Sequence, residues 1–134
     1  MNRQKILVVD DNPVIIKTLS MKLISAGYDV VTAADGSGAV SATRNEKPNL
    51  ILLDISFPAD VGIDWDGFKI IAWLRRIEES RDIPIIVITG GDAAKYKDKS
   101  LATGAVAFFE KPLDNITLLD VIKKTLAGTA NKAA

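Results

Sequence analysis

Five short apolar runs punctuate the chain, and each is followed by a stretch with helical spacing. No other feature constrains the fold as much. Lys5-Ile-Leu-Val-Val-Asp10 and Leu50-Ile-Leu-Leu-Asp54 are apolar at consecutive positions rather than alternate ones. A strand reads that way when helices cover both of its faces. Asp29 to Ala33, Pro84-Ile-Ile-Val-Ile-Thr89 and Ala105 to Phe109 complete the set. The helices between them are marked by local chemistry. Asn12-Pro13 pairs an N-cap residue with a proline at the first helical position, and Gly27 stops that helix. Asp35-Gly36 opens a second helix of small residues (Ala39, Val40, Ala42) that ends before Pro48. A third is expected from about Asp66 to Glu79, with Phe68, Ile70, Ile71, Trp73, Leu74 and Ile77 as its core face. A fourth, weaker one runs from about Asp92 to Ala102 before Gly104, and a last one from Asn115 to Ala127. Alternation of this kind predicts an α/β fold, a doubly wound five-stranded parallel sheet with helices on both faces. Residues 1–134 read as a single domain, packed over about 4–127, with 128–134 a frayed tail.

What the chain lacks narrows its chemistry. It has no Cys and no His, so thiol nucleophiles, thiolate zinc sites, imidazole acid–base catalysis and Ser-His-Asp triads are all excluded. Reactions must run on carboxylates, lysines, hydroxyls and backbone. A metal site would be all oxygen, which suits Mg²⁺, Mn²⁺ or Ca²⁺. Lys+Arg and Asp+Glu are each 17, for a net charge of zero, which disfavours direct nucleic-acid or membrane adhesion. The apolar run after Arg3 and Lys5 is too short for a signal peptide, and no run approaches a membrane span. A cytoplasmic location is expected.

In open α/β sheets, ligands bind beyond the carboxyl ends of the strands. The residues expected there are Asp10-Asp11, Asp54, Thr89, and Glu110 with Lys111. Only the second strand, ending in Ala33-Ala34, brings nothing chemical. Clustered carboxylates repel and raise one another's pKa, and a hard divalent cation relieves that repulsion. With a lysine and a hydroxyl beside them, they form a set suited to phosphoryl transfer, in which an aspartate can be the nucleophile.

Ile6-Leu-Val-Val-Asp-Asp-Asn-Pro13, Leu52-Leu-Asp-Ile-Ser-Phe-Pro58, Ile86-Val-Ile-Thr-Gly90 and Phe108-Phe-Glu-Lys-Pro112 together resemble the receiver domain of two-component response regulators, of the stand-alone type. The resemblance covers about residues 4 to 127. It implies a flavodoxin-like (βα)5 fold with strand order 2-1-3-4-5. It implies that Asp54 is the phosphoacceptor, taking its phosphoryl group from a histidine kinase or a histidine phosphotransfer protein. By the same resemblance Asp10, Asp11, Asp54 and the Ser56 carbonyl hold Mg²⁺, with Mn²⁺ an alternative. Lys111 pairs with the acyl phosphate, Thr89 turns in to it, and Phe108 occupies an aromatic switch position. Lys111-Pro112 corresponds to the family's cis peptide. The output implied is a downstream protein contacted through the face holding Tyr96 and Phe108, a face that also serves family homodimers. No DNA-binding or catalytic output segment is visible in the sequence.

The chain departs from the family pattern at Ala59 to Trp65, a stretch longer than the family's usual link between Pro58 and Asp66-Gly67. It is expected beside the site as a lid, a partner contact or added negative charge. Plainer readings stand beside the functional ones. Asp10-Asp11-Asn12 reads equally as a helix cap, Thr89 as a loop hydroxyl, and Lys111 as a solvated lysine. Trp73 is expected in the helix core, Arg75-Arg76 on an exposed face, and Lys95, Lys97 and Lys99 on a solvated one. A pseudo-receiver, with this fold but no phosphorylation, is the alternative function. Enzymes of similar architecture fit less well. A flavin phosphate would be repelled by Asp-Asp-Asn-Pro, and a dehalogenase-type phosphatase would need an acid where Asn12 stands.

Overall fold

Each of the five apolar runs becomes a parallel strand. The computed structural model describes residues 4–55, 67–78, 80–89, 93–102, 104–111 and 114–133, and the side chains of all of these except 67–69, 93–96, 99, 115 and 129–133. The strands are β1 (Lys5–Val9), β2 (Asp29–Ala33), β3 (Leu50–Asp54), β4 (Ile85–Thr89) and β5 (Ala107–Glu110). They form one sheet in the order β2-β1-β3-β4-β5. The register sets Val9 beside Ala33 and Leu53, Asp54 beside Ile88, and Thr89 beside Glu110, so the carboxyl ends line up along one edge.

The helices are α1 (Pro13–Ser25), α2 (Gly36–Glu46), α3 (Gly67–Arg76), α4 (Ala93–Ala102) and α5 (Asn115–Ala133). Alternate strand residues feed two cores. Leu7, Val9, Ile51, Leu53, Ile85 and Val87 pack with Ala39 of α2 and with Ile70, Ile71 and Leu74 of α3. Ile6, Val8, Leu50, Leu52, Ile86 and Ile88 pack with α1 and α5 through Leu19, Leu23, Leu118, Ile122 and Leu126. With both faces covered, β1, β3 and β4 have no polar face. That is the physical source of their unbroken apolar sequences. Among the described residues no helix is long and apolar enough to cross a membrane.

Four expectations are corrected. α3 ends at Arg76 rather than near Glu79. The Ser80 hydroxyl donates to the Leu74 carbonyl, which a longer helix would need for its own ladder. β5 starts at Ala107 rather than Ala105. The amides of Gly104 and Ala105 close the end of α4 on Leu101 and Ser100, and the strand bonding begins only with Val106 N–H to the Ile85 carbonyl at 2.9 Å. The tail expected from Gly128 instead continues α5 to Ala133. It is rich in alanine and free of proline, and one internal glycine costs only about 1 kcal/mol against alanine. Trp73 is 44% exposed rather than in the core. Ile70, Ile71 and Leu74 define the buried face of α3, and position 73 falls about 100° away from its centre. The Ala59 to Trp65 stretch and the Lys111-Pro112 peptide lie outside the described residues.

Candidate functional site

β1 and β3 are neighbours in the sheet, yet the chain leaves β1 toward β2 and returns on the other side to reach β3. The crevice at their carboxyl ends is therefore the topological switch point. Asp10 follows β1 directly, and Asp54 is the last residue of β3. Both are 2% exposed. Asp11, one residue on, is exposed. One carboxylate oxygen from each of Asp10, Asp11 and Asp54 lies within 4.8 Å of the others. Strand geometry brings this about, because Val9 is level with Leu53 and an acid follows each of them.

The helix-cap reading of Asp10-Asp11-Asn12 resolves into separate jobs. Asn12 alone caps α1, its side-chain oxygen accepting from the amides of Val14 at 2.9 Å and Ile15 at 3.5 Å. Asp10 points back into the crevice, where Oδ1 accepts the Asn12 amide at 2.9 Å. The cap and the acid are thus coupled through one backbone group.

Lys111 completes the geometry. Its main-chain amide donates to the Thr89 carbonyl at 2.8 Å, tying the segment after β5 to the end of β4. Its Nζ lies 3.0 Å from Asp10 Oδ2 and 3.1 Å from Asp54 Oδ2. The side chain is 21% exposed. Lys111 is therefore not a solvated lysine; it bridges two buried acids. Thr89 is wholly buried at the end of β4. Phe108, level with Val87, is half-buried against the core on the α2 and α3 side. Ser56 and the Tyr96 side chain lie outside what is described.

The electrostatics follow from this placement. Burial pushes the Asp10 carboxyl above the usual aspartate range. The Asn12 amide and Lys111 pull it down and Asp54 pushes it up again, with a net rise. Burial by itself would lower the Lys111 ammonium. Hydrogen bonds to Asp10 and Asp54, with the charges behind them, outweigh burial and hold it above the ordinary lysine value. Among the described residues one cation thus faces three acids, two of them buried. The excess negative charge and the all-oxygen donor set fit a hard divalent cation. A shared lysine between Asp10 and Asp54 has no signature in sequence, since its partners are 101 and 57 residues away.

Comparison with known proteins identifies the family. The response regulator receiver domain family matches residues 6–123. The chain is 35% identical over 124 residues to the protein PilH of Pseudomonas aeruginosa, covering 92% of this chain and 98% of PilH. It is 34% identical over 107 residues to the probable transcriptional regulatory protein TcrX of Mycobacterium tuberculosis, covering 80% of this chain but only 43% of TcrX. Among solved structures, a CheY-like receiver domain protein from Methanospirillum hungatei superposes with a TM-score of 0.86 at 28% identity, over 98% of this chain and 99% of that one. The chemotaxis protein CheY4 of Vibrio cholerae superposes with a TM-score of 0.82 at 29% identity, over 92% and 98%. The chain belongs to the response regulator receiver domains of two-component signal transduction.

Proposed function

We propose that this protein is a phosphorylation switch in which Asp54 accepts a phosphoryl group from the phosphohistidine of a kinase or phosphotransfer protein. The observation that carries the reading is the Lys111 ammonium, 3.0 Å from Asp10 and 3.1 Å from Asp54 at the switch point of the sheet. A bond forms between an Asp54 carboxylate oxygen and phosphorus as the phosphorus–nitrogen bond of the donor breaks. The electron pair of that bond stays with the imidazole. Lys111 orients the Asp54 carboxylate beforehand and then faces the new acyl phosphate. Thr89, at the end of the neighbouring strand, donates a hydroxyl to a phosphoryl oxygen. Asp10, Asp11 and Asp54, with the Ser56 carbonyl, would hold Mg²⁺ or Mn²⁺. The ion supplies neutralisation of phosphoryl charge among the acids.

Phosphorylation replaces one negative charge by about 1.5 to 2, as it does at hydroxyl sites. Thr89 and Lys111 gain a new partner, and the change reaches the half-buried Phe108 through β4 and β5. The signal then passes to a protein partner, or to a second copy of this chain, through the face holding Tyr96 and Phe108, without direct nucleic-acid contact. The protein is a phosphoacceptor and not a turnover enzyme, and its donors, fed by ATP, place it in the cytoplasm. Incubation with acetyl phosphate and Mg²⁺ followed by intact-mass measurement tests this. We expect one added phosphoryl group that Asp54→Ala abolishes. An unmodified wild-type mass under those conditions would favour a pseudo-receiver instead.

A further inference from the structure

Arg75, near the end of α3, leaves the open surface that Arg76 occupies and reaches three main-chain carbonyls. Its Nη1 donates to Arg81 at 2.8 Å and to Ile83 at 2.7 Å, and its Nη2 donates to Gly104 at 3.3 Å. Ile83 lies just ahead of β4, and Gly104 lies between α4 and β5. One guanidinium therefore ties together the starts of the two strands whose far ends carry Thr89 and Lys111. These starts lie roughly 15 Å from the site, the rise of a five-residue strand. Gly104 has φ +98°, a left-handed conformation that glycine adopts freely. Its amide and that of Ala105 close α4 on Leu101 and Ser100.

The described part of α4 shows little burial of its own. Among its described side chains only Ser100 is buried, while Lys97, Asp98, Leu101 and Ala102 are exposed. The described part of this helix contributes no buried apolar side chain to either core. α3, by contrast, buries Ile70, Ile71 and Leu74 and so provides a rigid base for Arg75.

Resting on the switch reading above, we propose that Arg75 is a positioning residue that fixes the far end of the switch. It pins the α4–β5 turn, so that a change at Thr89 and Lys111 is expressed at the site-proximal end of α4 while the other end stays in place. The planar fork of arginine suits this task. It can meet carbonyls from several directions at once, whereas a lysine ammonium is a single point on a flexible stem.

Hydrogen exchange read by peptide mass spectrometry tests the proposal in the whole chain. In the wild type, Mg²⁺ with beryllofluoride, a mimic of the acyl phosphate, should change exchange over 89–99 and leave 101–107 as it was. In Arg75→Gln without ligand, exchange over 101–107 should quicken by about tenfold, the effect of losing one or two net hydrogen bonds. The beryllofluoride response should then spread into 101–107. Arg75→Lys should fail to restore either behaviour. The proposal is overturned by unchanged protection of 101–107 in Arg75→Gln, by full rescue in Arg75→Lys, or by a wild-type response at 101–107 as large as that at 89–99. Should Arg75→Gln not fold, Arg75→Lys and the wild-type pair decide the matter. A wild type that ignores beryllofluoride everywhere sinks the phosphoacceptor reading, and exchange of the ligand-free variants still judges the clamp.

Discussion

The two edges of the sheet handle charge withdrawn from water in opposite ways, fully at one and partly at the other. At the carboxyl edge, Asp10 and Asp54 are both 2% exposed and share one lysine, with Asp11 close by. At the amino edge, Arg75 stands among neutral carbonyls of Arg81, Ile83 and Gly104. The first arrangement is unbalanced, with three acids against one ammonium among the described residues. The second is closer to balance, since the cation has three acceptors and the exposed Asp82 carboxylate as its charge partner. A partly buried charge whose demand is met builds structure, whereas buried charges of one sign that outnumber their counterions suit a ligand. The same edge also holds an exposed Lys5–Glu46 pair at 3.7 Å, which on that criterion counts for little.

Removing each cation should break the comparison differently, and the largest effect is expected at the carboxyl edge. Lys111→Met should slow phosphoryl acceptance from acetyl phosphate by about 100-fold or more, the usual consequence of deleting a positioned donor to developing charge. It should also destabilise the metal-free protein, because two buried carboxylates lose their counterion. Added Mg²⁺ should then raise its melting temperature by more than it raises that of the wild type. An equal metal response in both proteins would mean that Lys111 does not offset the acids. At the amino edge, Arg75→Gln should lower stability by about 1–2 kcal/mol in denaturant titration, the magnitude of lost hydrogen bonds at partly exposed carbonyls. Its metal response should match the wild type. If Mg²⁺ affinity fell with it, the edges would not be independent.

A smaller change separates the cap from the site. Asn12→Ala removes the side chain that holds the amides of Val14 and Ile15, and should cost about 1 kcal/mol. The bond from the Asn12 amide to Asp10 is made by backbone and survives the substitution. Mg²⁺ affinity measured by titration should therefore stay at the wild-type value. A clear drop would show that the cap and the acid cluster act as one unit.

Much of this contrast was legible in the sequence, but only on one edge. β1, β2 and β3 appear at the expected residues because apolar runs between polar turns are local signals. Asp10, Asp54 and Lys111 could be placed at one edge because parallel strands all end there. Their convergence on a single ammonium depends on register between distant strands. The resemblance to receiver domains implied only that Lys111 serves Asp54; its second partner, Asp10, appears in the structure alone. The amino edge was not legible. Arg75 looks like any exposed arginine of an amphipathic helix, and its carbonyl partners are 6, 8 and 29 residues away. Trp73 misled for a related reason. Its apolarity suggested core, yet its angular offset from Ile70 and Leu74 decides the matter, and that offset leaves it 44% exposed. The ends of α3 and α5 depend on a serine hydroxyl taking a helical carbonyl and on a tolerated glycine, neither of which periodicity reports.

The finest test of the unbalanced edge is its titration. Asp10 sits above the ordinary aspartate range, so its charged form is disfavoured in the folded chain. That cost is fully present above the folded pKa and disappears as pH falls through the ordinary range, where both folded and unfolded chains are protonated. Lys111 runs the other way. Its stabilisation is whole below the ordinary lysine value and is lost as pH rises through the higher folded value. Asp54→Asn removes a like charge from Asp10 and leaves the ammonium to one acid, so both changes favour the Asp10 carboxylate. Burial, the largest cause of the rise, is untouched. The Asp10 pKa should therefore fall in this variant but stay short of a wholly relaxed value, as followed by the carboxyl carbon shift in metal-free protein. A rise instead would mean that the ammonium leaves the crevice once Asp54 is neutral, and that the two acids together are what hold it there.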